Sequence, residues 1–147
     1  GAFNSYRSAQ NLLQAAATRD TKNPQIANDL ATANEAVADM LTLNGDTAGA
    51  IQSLRAAVQH REAAGAPPAT KISTYHNLAI ALSNTTATAE AETLSRKAHQ
   101  LAMALTGPTA TRQLAQSHTQ LAAVLQHLQK LPIIGRSRNQ SATTRIK

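Results

Sequence analysis

Cysteine and tryptophan are absent from the 147 residues, and aromatic residues make up only 2% of them. Without cysteine there is no disulfide framework and no thiolate metal site. With so few aromatics and so much alanine, a β-sandwich core is excluded, and alanine–leucine packing between closely spaced helices is what remains. No apolar run approaches the roughly 18 residues that a membrane-spanning helix needs. Acid is missing from the whole C-terminal part: all eight Asp/Glu residues lie between Asp20 and Glu92. Residues 1–92 carry six Lys/Arg against those eight acids, a net charge of −2, whereas residues 93–147 carry eight Lys/Arg and no acid, a net charge of +8. Any elongated fold of this chain is therefore an electrostatic dipole along its length.

Catalytic signatures are missing too. There is no Gly-rich phosphate loop and no Gly-x-Ser-x-Gly elbow. The five histidines (His60, His76, His99, His118 and His127) are spread over four predicted helices, and none makes the i, i+4 pair with a carboxylate that helical zinc sites use. Glu90 and Glu92 are two apart, so they face different sides of a helix and read as solvated charges rather than an acid–base pair. The sequence thus predicts no catalytic residue, no metal ligand set and no cofactor.

What is present is helical periodicity. From Asn77 to Pro108 two apolar stripes follow each other: Leu78, Ala79 and Leu82, then Ala91, Leu94, Ala98, Leu101, Ala102 and Leu105. Ser83–Thr86 is a polar, β-branched break between them. Gly107-Pro108 closes the unit, because glycine suits the left-handed residue past a helix end and proline cannot continue the helix. Ala79, Ala91 and Ala98 sit where two antiparallel helices of a hairpin would touch. The pattern recurs 41 residues earlier, with Val37-Ala38, Leu41, Ala50, Ala57 and Pro67 in the places of Leu78-Ala79, Leu82, Ala91, Ala98 and Pro108. Its first half recurs 43 residues later as Leu121-Ala122 and Leu125. A two-helix period near 40 is the mark of an α-solenoid.

In chain order the pattern predicts an all-α fold of six helices: 2–19, 24–43, 47–64, 69–83, 87–106 and 109–130. Asn23-Pro24 starts the second as cap and first helical residue. Asn44-Gly45-Asp46 ends it and caps the third. One domain spans 1–131, with a leading cap helix at 2–19 and repeats at about 24–67, 68–108 and 109–131. A basic arm follows at 132–147.

Asn77–Ala79, Ala89–Glu92, Arg96–Ala98 and Gly107-Pro108, with the Ala50, Leu54, Ala57 spacing one repeat earlier, resemble the tetratricopeptide repeat family in its long-period form, like the repeats of kinesin light chains. The resemblance implies a right-handed solenoid whose first helices line a concave, peptide-holding face. On that basis the partner-binding groove is expected at Glu35, Asp39, His76, Asn77, Ile80, Gln116 and Gln120, with Asn77 in the place of the family's ligand-binding asparagine.

The expected function is a non-catalytic interaction subunit or scaffold within a larger assembly. The reason is that the third repeat lacks its second helix, so Leu121, Val124 and Leu128 are expected to form an uncovered apolar flank. A free-standing peptide-binding adaptor is the alternative. RNA binding is the third reading, and the period of 41 to 43 residues and the shortage of aromatics count against it. The arm is expected to dock on an acidic partner surface, with Arg136, Arg138, Arg145 and Lys147 as charges and Ile133 and Ile134 as apolar pegs. A basic, cysteine-free chain beginning at Gly1 is compatible with import into the mitochondrial matrix, the expected location, with the cytoplasm as the alternative.

Overall fold

The computed structural model describes residues 1–130. Among them are six helices and no strand: α1 (Ala2–Arg19), α2 (Pro24–Leu43), α3 (Thr47–Ala63), α4 (Pro68–Ser83), α5 (Thr88–Met103) and α6 (Ala110–Lys130). The all-α expectation is met, and the expected helices coincide with the observed ones to within about three residues.

Local chemistry sets the boundaries. Asn23 caps α2: its Oδ1 accepts from the N–H groups of Gln25 at 3.0 Å and Ile26 at 3.4 Å, and Pro24 follows where no N–H donor is needed. Between α2 and α3, Gly45 takes φ +79° and the Asp46 Oδ1 accepts from the Gly49 N–H at 2.8 Å. A side chain at residue 49 would collide with that carboxylate, so the glycine is what lets the cap close. Replacing Asp46 by alanine should cost about 1 kcal/mol, read as a shift in a urea unfolding curve. The break between α4 and α5 closes on itself: the Thr85 hydroxyl donates to the Leu82 carbonyl and accepts from the Ala87 N–H. Helix α5 stops three residues short of expectation. Its last turn tightens, with the N–H groups of Ala104 and Leu105 bonding three residues back, before Gly107 at φ +99° turns the chain.

Short connections make α2/α3 and α4/α5 antiparallel hairpins, and each helix packs on the next in sequence. Alternate helices run parallel. Arg55 of α3 pairs with Glu90 of α5 at 2.6 Å, and Glu62 of α3 pairs with Lys97 of α5 at 2.6 Å. Both pairs are 35 residues apart, which requires α3 and α5 to advance in the same direction. This packing of consecutive helices is compatible with a helical repeat.

One core runs through the stack. Ala38 of α2, Ile51 and Leu54 of α3, Leu78 and Leu82 of α4, Ala91 of α5 and Val124 of α6 form a single cluster. Ile72 and Tyr75 of α4 with Ala98 and Ala102 of α5 form a second. Ala57, Ala91 and Ala98 are wholly buried, so small residues do occupy the helix contacts. Helix α1 packs against α2, where the Gln10 Nε2 donates to the Oδ1 of buried Asn34 at 2.8 Å.

Candidate functional site

The face made by α2, α4 and α6 carries two depressions. The larger, about 480 Å³, lies between α4 and α6 and is lined by Ser73, His76, Asn77, Gln116, Thr119 and Gln120, with Arg112 on the α6 side. The smaller, about 200 Å³, lies between α2 and α4 and takes in Asp39, Thr42, Asn77 and Ile80. Asn77 lines both. It is exposed at the middle of this face. Six of the seven expected groove residues are thus brought to two adjoining hollows. Ile80 presents a large apolar side chain, 45% exposed, and the Gln120 Oε1 is buried without a hydrogen-bond donor.

Glu35 is placed differently. Its Oε2 receives the Arg61 Nη2 at 2.9 Å and its Oε1 receives the Thr74 hydroxyl. Arg61 also donates to the Asn28 carbonyl and amide oxygen and to the Thr32 hydroxyl. The Glu35 carboxylate therefore ties α2 to α3 and α4 and lines neither depression. Arg112 was not among the expected residues, because it sits in the first turn of α6, away from the repeat positions that the resemblance carries.

The histidines converge more than their separation in sequence suggested. His76 is buried, with its Nε2 3.3 Å from the Ser117 Oγ; the two residues are 41 apart in the sequence. His99 of α5 and His118 of α6 meet with ring centroids 4.1 Å apart and planes tilted by 59°. Burial, and secondarily the charge of His99, holds His76 below its ordinary value. Burial and then His118 do the same to His99. Burial alone lowers His60. Among the described residues no group of three His, Cys, Asp or Glu side chains has the arrangement of a metal site.

Glu90 and Glu92, read from sequence as solvated charges, are paired at the surface with Arg55 and Arg96. Glu62 accepts from Lys97 and from the Tyr75 hydroxyl at 2.7 Å, and these two bonds hold its carboxyl below the usual range. The Lys97 ammonium also lies 4.7 Å from the Tyr75 ring centroid.

The expected uncovered flank of α6 needs correction. Val124 is only 3% exposed and belongs to the main core, because α6 lays this side onto the α4/α5 hairpin. Leu121 and Leu125 are half-buried. The expected arm residues Ile133, Ile134, Arg136, Arg138, Arg145 and Lys147 lie outside the described residues. No helix among the described residues is long and apolar enough to cross a membrane. Comparison with protein-family models, curated proteins and solved structures returned no match.

Proposed function

We propose that this chain is a non-catalytic interaction module, a right-handed solenoid of the tetratricopeptide kind, that holds an extended segment of a partner protein across α2, α4 and α6. The observation that carries this reading is the pair of adjoining depressions that share Asn77. An amide there can donate to and accept from the backbone of a strand-like segment lying across both. Ile80 offers an apolar contact beside it. Charge orients the segment. Neither α4 nor α6 contains a carboxylate, and Arg112 lines the larger hollow, so that end favours an acidic partner. Asp39 at the smaller hollow favours a basic side chain.

The test compares partner affinity of Asn77→Ala and Gln116→Ala with that of Arg55→Ala, which lies on the α3–α5 side. The two groove variants should each weaken binding by about tenfold, the loss of one well-made contact of roughly 1.4 kcal/mol, and Arg55→Ala should leave it within twofold. If the groove variants bind as the parent does, the reading fails. The same variants separate the alternative, a subunit built into an assembly through other surfaces: such a subunit stays incorporated when Asn77 and Gln116 are changed. That alternative has lost part of its motive now that Val124 is covered within the chain.

A further inference from the structure

Helix α6 meets the α4/α5 hairpin through Val124 and, beside it, through imidazoles. His76 reaches across from α4 to the wholly buried Ser117 of α6, and His99 of α5 stacks obliquely on His118 of α6. The His99 Nδ1 is buried and has no hydrogen-bond partner. These contacts suit neutral rings, each of which needs only one donor and one acceptor. An imidazolium has two N–H donors and a charge, and among the described residues no carboxylate bonds to any of the three rings.

The charges around it are accounted for helix by helix. On α4 the only charged residue is Lys71. On α6 they are Arg112 and Lys130, with His127 also titratable. On α5, Glu90 and Glu92 are taken by Arg55 and Arg96, and Lys97 by Glu62. On α3, which packs on α4, Glu62 is held by Lys97 and Tyr75, Arg55 by Glu90 and Arg61 by Glu35, with His60 neighbouring them. Asp46 is spent on capping α3. Glu35 of α2, which reaches α4 through Thr74, is spent on Arg61. The carboxylates of α3 and α5, and Glu35, are thus engaged; Asp39 of α2 lines the smaller depression with Asn77 and touches none of the three rings, and the charged groups of α4 and α6 are cations. Protonated rings would repel one another with no ion-pair partner in contact.

We propose that His76 and His99, with His118 stacked on His99, form an acid-sensitive latch. With His76 and His99 neutral, α6 is held on the hairpin; when they take protons it is released and the α4–α6 depression comes apart. The sign follows from linkage. His76 and His99 titrate below their ordinary 6.5 when α6 is docked. Between those lowered values and 6.5 the undocked chain binds protons that the docked one does not, so docking weakens as pH falls through that window and is fully present above it. The inference does not depend on the groove being used by a partner.

Because the chain has no cysteine, a label pair can be placed without interference. Gln100→Cys on α5 with Gln126→Cys on α6 reports α6 docking by spin-label distance, and Gln25→Cys with Gln59→Cys on α2 and α3 serves as control. Between about pH 7.5 and about pH 5.5 the ratio of docked to undocked α6 should fall by at least about fivefold, while the control pair keeps its distance. Adding His99→Gln and His118→Gln should flatten the response. The exposed His118→Gln alone, which does not disturb the core, should reduce it, and His60→Gln should leave it intact. An α5–α6 distance unchanged by acid overturns the latch. So does an equal opening of the control pair, or a full response in the His99/His118 double variant.

Discussion

Replacing Arg61 by alanine lowers the stability of the chain by about 3 kcal/mol, read as a lower urea midpoint at unchanged slope. Arg61 lies on a helix face that turns inward, and its side chain is only 10% exposed, against 21% for the Glu35 it meets. Four acceptors on α2 receive its two terminal nitrogens, while its Nε is buried without a partner. Truncation strands the Glu35 carboxylate with the Thr74 hydroxyl and little water, and leaves a void where the guanidinium lay. The cost lies mainly in the abandoned charge, so removing both charges should cost less than removing one. Arg61→Met combined with Glu35→Gln is expected to recover at least about 1 kcal/mol relative to Arg61→Ala, a coupling within the range for contacting residues. A single-variant loss below about 1 kcal/mol would show that water replaces the guanidinium.

Leu82→Ala is expected to cost a comparable amount, about 3 kcal/mol. Leu82 is among the fully buried side chains and shares its cluster with Leu54 of α3, Ala91 of α5 and Val124 of α6. Helices whose neighbours are alanine have little side chain with which to fill a hole, and wholly buried Ala91 already marks a close approach. The cavity should therefore persist. Leu82→Met, which keeps the volume, should cost less than about 1.5 kcal/mol. Thermal unfolding of the two variants side by side checks this, and equal losses would argue against a cavity as the cause.

The helices were legible because alanine and leucine recur at helical spacing and because Asn23-Pro24, Gly45-Asp46 and Gly107-Pro108 mark their ends with side-chain and backbone chemistry that acts over a few residues. The face holding Asp39, Asn77, Ile80, Gln116 and Gln120 was legible from the repeat and the resemblance together, since equivalent positions of parallel helices share a side. What periodicity does not show is which long side chains meet across helices. Glu35 has the spacing of a groove residue, yet Arg61, 26 residues away, draws its carboxylate between helices. Arg61 itself breaks the rule that charge stays outside. The histidines show the same limit: the contact of His76 with Ser117, and that of His99 with His118, depends on how α6 is rotated against α4 and α5. Val124 was misjudged for that reason. A missing second helix implied a bare flank, and the rotation of α6 covered part of it.

The two ion pairs between α3 and α5 act together as a vernier. Each is largely exposed and worth roughly 0.2–1 kcal/mol, too little to decide whether the chain folds. Their common offset matters more than their strength. If α5 slid past α3 by one helical turn, Arg55 would face Thr86 or Leu94, and Glu62 would face Thr93 or Leu101. Both attractions would vanish at once, with no new one to replace them. Alanine surfaces are smooth and offer few knobs to stop such sliding. In this chain the charges at the rim fix the phase of the stack, while the alanines set how closely its layers approach.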